Sequence, residues 1–214
     1  MVPQKRPITI EDVYHIAYVE DPRISPDGRW VAYVRVIPDR LENGYQRNIW
    51  LVPTGGGQAI QLTRSNKDSA PRWSPDGKML AFVSSRDKKP QIYVLRVAAP
   101  GGEARAITKM PGGATQPAWS PDGTQIAFVS NRIDDVYQIY LYDLATDAVE
   151  VLTNDTTVNN HSPQWLPGGD AIVFQTLGGN YSYDRQTYRL NLRDGSIRPL
   201  TPVIKYMDML VWRP

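Results

Sequence analysis

The 214-residue chain is 41% hydrophobic and 21% charged, with a formal net charge of +2, an ordinary balance for a folded globular domain. It has no cysteine, so disulfides and thiolate metal sites are excluded, and no apolar run approaches the ~18 residues that cross a bilayer. There is no basic run of the kind that grips nucleic acid, and the opening "MVPQKRPITIEDV" lacks the apolar core of a secretory signal, so the expected compartment is cytoplasmic, with neither membrane nor nucleic acid as partner.

Residues 1–20 read as a helical segment. Thr9-Ile10-Glu11-Asp12 has the form of a capping box. Ile10, Val13, Tyr14, Ala17 and Tyr18 then fall on one helical stripe, and Asp21-Pro22 ends it. From residue 21 the chain repeats itself. "SPDGRWVAYVRV" starts at Ser25, "WSPDGKMLAFVSSRD" at Trp73, "WSPDGTQIAFVSNR" at Trp119, and the weaker "WLPGGDAIVFQT" at Trp165. One slot is held by Ile24, Trp73, Trp119, Trp165 and Trp212, at steps of 49, 46, 46 and 47 residues. Fixed periods of this length mark solenoids, propellers or arrays.

Each unit predicts four short strands. The first ends at the tryptophan slot. Ser-Pro-Asp-Gly supplies a tight turn, because Pro presets φ, Ser suits its first position and Gly takes the left-handed conformation that closes it. The second strand ("WVAYV", "MLAFV", "QIAFV", "AIVFQ") does not alternate apolar with polar, which fits a strand covered on both faces. The third carries Ile49, Ile92 or Ile139 before an aromatic, with Thr187-Tyr188 in the last unit. The fourth ends on Leu62-Thr63, Ile107-Thr108, Leu152-Thr153 or Leu200-Thr201. Four-stranded sheets covered on both faces by copies of themselves are propeller blades. The expected fold is therefore all-β: four four-stranded antiparallel blades of an open or partial propeller after a short N-terminal helix. The repeats span about 21–69, 70–115, 116–161 and 162–208, and a fifth starts at 209–214. "VWRP" stops inside the first turn of that fifth repeat, so the chain is expected to be a fragment of a longer protein.

The opening helix with "DPRISPDGRWVAYV", followed by "WSPDGKMLAFVSSRD…IYVL…LT" units, resembles the N-terminal propeller of the prolyl-oligopeptidase family of serine peptidases. The similarity is greatest to its acylaminoacyl-peptidase and dipeptidyl-aminopeptidase-like branch, and TolB-type propellers share the blade motif. The resemblance covers essentially the whole chain. It implies a non-catalytic propeller that caps an α/β-hydrolase domain of the same protein and selects short peptide substrates, with the catalytic serine in a G-x-S-x-G elbow downstream. These residues contain no such elbow, and neither His15 nor His161 follows one in the order that fold requires. They also contain no Glu-Glu pair, the feature with which the dipeptidyl-peptidase branch holds a substrate amino terminus. No catalytic, cofactor or metal residue is expected in the chain. Two further readings are a TolB-like protein-interaction module and a free-standing four-bladed ligand-binding propeller.

Recurrent Asp27, Asp76 and Asp122 read as turn formers, and the slot tryptophans as packing between blades. Arg86 with Asp87, and Arg132 with Asp134 or Asp135, read as blade fasteners. Candidate channel or entrance contacts are Arg72, His161 and Gln164 on inner strands, with Arg47 and Tyr181 in the long loops 37–47 and 178–185. The end faces of an open arc are expected to be apolar, and so to make the chain self-associate.

Overall fold

A computed structural model describes residues 6–97, 103–133, 135–177 and 185–202. They are all-β, built as four four-stranded antiparallel sheets in strand order along the chain. Blade one is β1 (Tyr18–Ile24), β2 (Trp30–Asp39), β3 (Gly44–Pro53) and β4 (Ile60–Gln61). Blade two is β5 (Asp68–Trp73), β6 (Met79–Ser84), β7 (Gln91–Arg96) and β8 (Arg105–Ala106). Blade three is β9 (Thr115–Trp119), β10 (Gln125–Ile133), β11 (Val136–Asp143) and β12 (Val149–Val151), and blade four is β13 (Asn159–Trp165), β14 (Ala171–Leu177), β15 (Arg185–Asn191) and β16 (Ile197–Pro199). The chain divides into two compact units, Met1–Pro71 and Arg72–Pro214.

In the first unit the expected helix is much reduced. Ile10–His15 forms six residues of 3-10 helix with no buried residue. Its start is capped as the sequence implies, with the Thr9 N–H donating to Asp12 Oδ2 at 2.7 Å. Ala17 and Tyr18 do not continue the stripe, because β1 begins at Tyr18, which pairs with Val36. A stripe of a few exposed residues cannot offset the cost of nucleating a helix, whereas β1 gains a ladder. Arg47 lies on β3, with its Nε 3.3 Å from Glu20 Oε2 and its guanidinium over the Tyr45 ring.

The Ser-Pro-Asp-Gly turns close alike. In blade two, Ser74 Oγ donates to Asp76 Oδ1 at 2.6 Å and accepts from the Met79 N–H at 2.9 Å. Lys78 N donates to the same Asp76 oxygen at 3.0 Å. Gly77 sits at φ +70°, where any side chain would be strained. The Ser25–Asp27 and Ser120–Asp122 pairs repeat these bonds at 2.6 Å. Blade four has Leu166 and Gly168 in place of the Ser and Asp, and keeps the turn's backbone bonds, from the Gly169 N–H to Leu166 O and from the Leu166 N–H to Ala171 O, each at 2.9 Å.

Within the second unit two devices stack the blades and a third closes each blade. In blade three, Ala127 pairs with Leu141 and Val129 with Ile139. This face packs on Ile172, Phe174 and Leu190 of blade four. The opposite face of β10 carries Phe128, stacked on Tyr140 at 5.5 Å between ring centroids. Both faces are therefore buried, which explains the lack of alternation in the sequence. Second, the slot tryptophans reach back one blade: the indole N–H of Trp119 donates to Arg72 O and that of Trp165 to Ala118 O, each at 3.0 Å. Third, the closing threonines latch the third strands. The N–H groups of Ile92, Ile139 and Thr187 donate to the hydroxyls of Thr108, Thr153 and Thr201 at 2.9, 2.9 and 3.0 Å. Thr63 does the same for Ile49 in the first unit, at 2.9 Å.

Arg86, read from the sequence as a partner of Asp87, contacts two other groups of its own blade. Its guanidinium lies over the Tyr93 ring at 4.4 Å and its Nε donates to Ser84 Oγ at 2.9 Å. Tyr93 Oη donates to Asp87 Oδ2 at 2.5 Å. The side chains of Arg132 and Asp134 lie outside the described residues.

Candidate functional site

The first strand of each blade is irregular at one place. Asp21, Ala70, Gln116 and Ser162 adopt φ of 47°, 52°, 54° and 54°, each directly before a proline. A non-glycine residue in the left-handed region costs roughly 1 kcal/mol, and a residue before proline is normally extended. The ladder slips there, between Glu20 and Arg23 in β1 and between His161 and Gln164 in β13. Each inner strand thus carries a bulge that turns its residues away from the regular ladder. In the second unit the displaced N–H of Ser162 donates to Gln116 Oε1 of the preceding blade at 2.6 Å.

The structure places three of the candidates on such strands: Arg72 on β5, His161 and Gln164 on β13. Gln164 is exposed, while Arg72 and His161 are half-buried. The His161 ring lies 5.0 Å from the Tyr137 ring. Partial burial, with a smaller contribution from the positive charge of Arg185, pushes its imidazole below the usual value, so it is neutral near pH 7. Arg47 lies in the first unit, paired with Glu20. Tyr181 lies outside the described residues. Gln116, which the sequence reading did not single out, joins His161 and Gln164 as a neutral polar group of neighbouring inner strands in the second unit. Its signal was the proline two residues before the slot in each of the four blades, since proline inside a strand marks a bulge.

These groups donate and accept hydrogen bonds and carry no nucleophile with an adjacent base. Among the described residues no group of three or more His, Cys, Asp or Glu side chains could hold a metal ion. A separate cavity of about 170 Å3 lies by the blade three–four link, lined by Asp155, Asn160, Phe174 and Tyr188 among others. Asn160 Oδ1 is buried there without a hydrogen-bond partner.

Residues 54–213 match the family model described as PD40, the TolB beta propeller domain. The chain belongs to this family. Over 114 residues it is 42% identical to "Uncharacterized peptidase YuxL" of Bacillus subtilis, covering 52% of this chain and 17% of that protein. Among solved structures, the acylaminoacyl peptidase of Pyrococcus horikoshii superposes with a TM-score of 0.68 at 21% identity, over 90% of this chain and 34% of that one. A TolB-like protein of Agrobacterium tumefaciens gives 0.67 at 21% identity, over 86% and 80%. Both likenesses are of fold. The chain spans a small part of the peptidase it matches in sequence. No helix among the described residues is long and apolar enough to cross a membrane.

Proposed function

We propose that this chain is the propeller part of a serine peptidase, gating an α/β-hydrolase domain of the same protein and admitting short peptides. The supporting observation is the 42% identity to a protein named as a peptidase. The inner-strand groups Arg72, His161 and Gln164 then act as channel or entrance contacts for peptide backbones, and Arg47 and Tyr181 as contacts at the loops. Catalysis lies in the hydrolase domain, so the 214-residue chain neither hydrolyses chromogenic acyl-amino-acid amides nor takes up a fluorophosphonate probe. The protein of native length does both, and it cleaves short peptides while sparing folded proteins. A native-length protein that leaves the probe unreacted overturns this reading.

The second reading is a TolB-like interaction module. It is favoured by the family description and by the 80% coverage of the Agrobacterium tumefaciens chain. It predicts co-purification of a protein partner in place of probe labelling.

A further inference from the structure

The link from blade two to blade three and the link from blade three to blade four are tied down in the same way. Gln91 Nε2 donates to Met110 O at 2.9 Å, and Gln138 Nε2 donates to Asp155 O at 2.7 Å. Met110 and Asp155 each stand two residues after a closing threonine, so their places are equivalent. Their side chains are not: Met110 is 5% exposed, whereas Asp155 is exposed. The aromatic pairs of the following blades differ in the same sense. Phe128 and Tyr140 are both buried, while Tyr188, stacked on Phe174 at 5.8 Å between centroids, is half-buried. Where the earlier link has a buried methionine the later one is polar, and the cavity of about 170 Å3 opens against Phe174 and Tyr188.

We propose that this crevice binds a small organic ammonium, a primary amine on an apolar body of about one ring, with the Asp155 carboxylate taking the charge and the Phe174 and Tyr188 rings taking the body. Size sets the body, since a dry cavity of about 150 Å3 holds benzene. Water is a poor filler, because the side chains of Val158, Phe174 and Ile197 in the lining offer it no hydrogen bonds. Charge sets the head. Asp155 is the one acid of the lining, which contains no Lys, Arg or His. The Thr157 hydroxyl and then its N–H hold the Asp155 carboxyl below the usual range. Both bonds fall on Oδ1, which leaves Oδ2 to a ligand. Asn160, in the same lining, is 2% exposed. Its Nδ2 donates to Gln138 Oε1 at 2.9 Å and to Thr153 Oγ1 at 3.2 Å. Turning the amide over would set its oxygen against the Gln138 oxygen, so the orientation is fixed. Oδ1 is left without a hydrogen-bond partner, and the negative end of this buried dipole favours a positive occupant. A cation beside the aromatic rings gains further from their quadrupoles. The inference stands whichever reading of the protein's function holds.

A titration of the 214-residue chain followed by protein NMR tests it. Benzylamine should shift the amides of 153–160 and of Thr176 saturably, with a Kd on the order of 1 mM. Benzyl alcohol, its neutral counterpart, should bind at the same amides about five-fold more weakly, the scale of one exposed ion pair. Asp155→Asn should remove that preference and leave the affinity for the alcohol unchanged. If the variant disturbs the fold, seen as shifts beyond 153–160 before any ligand is added, salt decides on the unmodified chain, since raising it should weaken benzylamine and spare benzyl alcohol. No saturable shift, which means water only in the crevice, shifts centred elsewhere, equal affinities, or a preference that survives Asp155→Asn, or high salt where salt decides, would overturn the proposal.

Discussion

Single side chains carry the joints between blades, and their removal has a predictable size. Trp165→Phe keeps most of the ring and removes the donor to Ala118 O. It should destabilise by about 1 kcal/mol, the worth of one net hydrogen bond, measured as a shift of the urea midpoint at constant slope. Gly112→Ala should cost more. A methyl there would stand 2.9 Å from the backbone carbon and oxygen of Asn131, and overpacking against backbone costs about 1–3 kcal/mol. Ala70→Gly has the opposite sign. Ala70 sits at φ 52°, a conformation that glycine adopts freely, so the substitution should stabilise by up to about 1 kcal/mol. A destabilised Ala70→Gly variant would show that the bulge owes its shape to side-chain packing at that position and not to tolerance of the strain.

At the scale of elements, the acidic turns make stability pH-dependent. The carboxylates of Asp27, Asp76 and Asp122 are held below their usual range. In each the main cause is the hydroxyl of the serine two residues earlier, followed by a backbone N–H. A carboxylate with a depressed folded pKa contributes stability above its unfolded value near 4 and loses it as pH falls through the folded one. The thermal midpoint should therefore drop below about pH 4, and a triple Asp→Asn variant should show a shallower acid limb. These turns were legible in the sequence because their chemistry is local: Ser, Pro, Asp and Gly each act within four residues. The four-stranded units were legible for a related reason, since the tryptophan slot and the closing threonine recur at fixed spacing. What escaped was non-local. The carboxamides Asn48, Gln91, Gln138 and Gln186 stand directly before each third-strand latch position, a fourfold signal in plain view. Their role shows only in the fold, where Gln91 and Gln138 accept from the closing threonine hydroxyls at 2.8 and 2.7 Å. The helix was overestimated because periodicity over nine residues cannot distinguish a stripe that packs from one that stays in water. Of the candidate site, the inner-strand positions of Arg72, His161 and Gln164 followed from the repeat. The bulge that reorients them was marked by the proline in each inner strand, but a proline shows where a ladder slips and not where the displaced side chains then point.

Across the whole molecule, the self-association expected from exposed blade faces has a second candidate surface. Among the described residues, the outward pairs of blade four are Val173 with Arg189 and Gln175 with Thr187, a largely polar set. Among the described residues, most of the exposed large apolar side chains lie in the first unit, with Ile8, Ile10, Val13, Ile16 and Val19 close together in sequence. If the chain associates, that segment should drive it. Sedimentation should show Ile10→Ser with Ile16→Ser shifting the chain to monomer, while Gln175→Ser leaves association unchanged. The tryptophan bonds carry one last consequence, for the order of assembly. Each spans 47 residues and always runs from the later blade to the earlier one. During synthesis a sheet finished at its fourth strand has no clasp until the next slot tryptophan, 13 or 14 residues further on, has left the ribosome. Growth is therefore a ratchet that runs in one direction, in which every new blade is loose and also locks its predecessor.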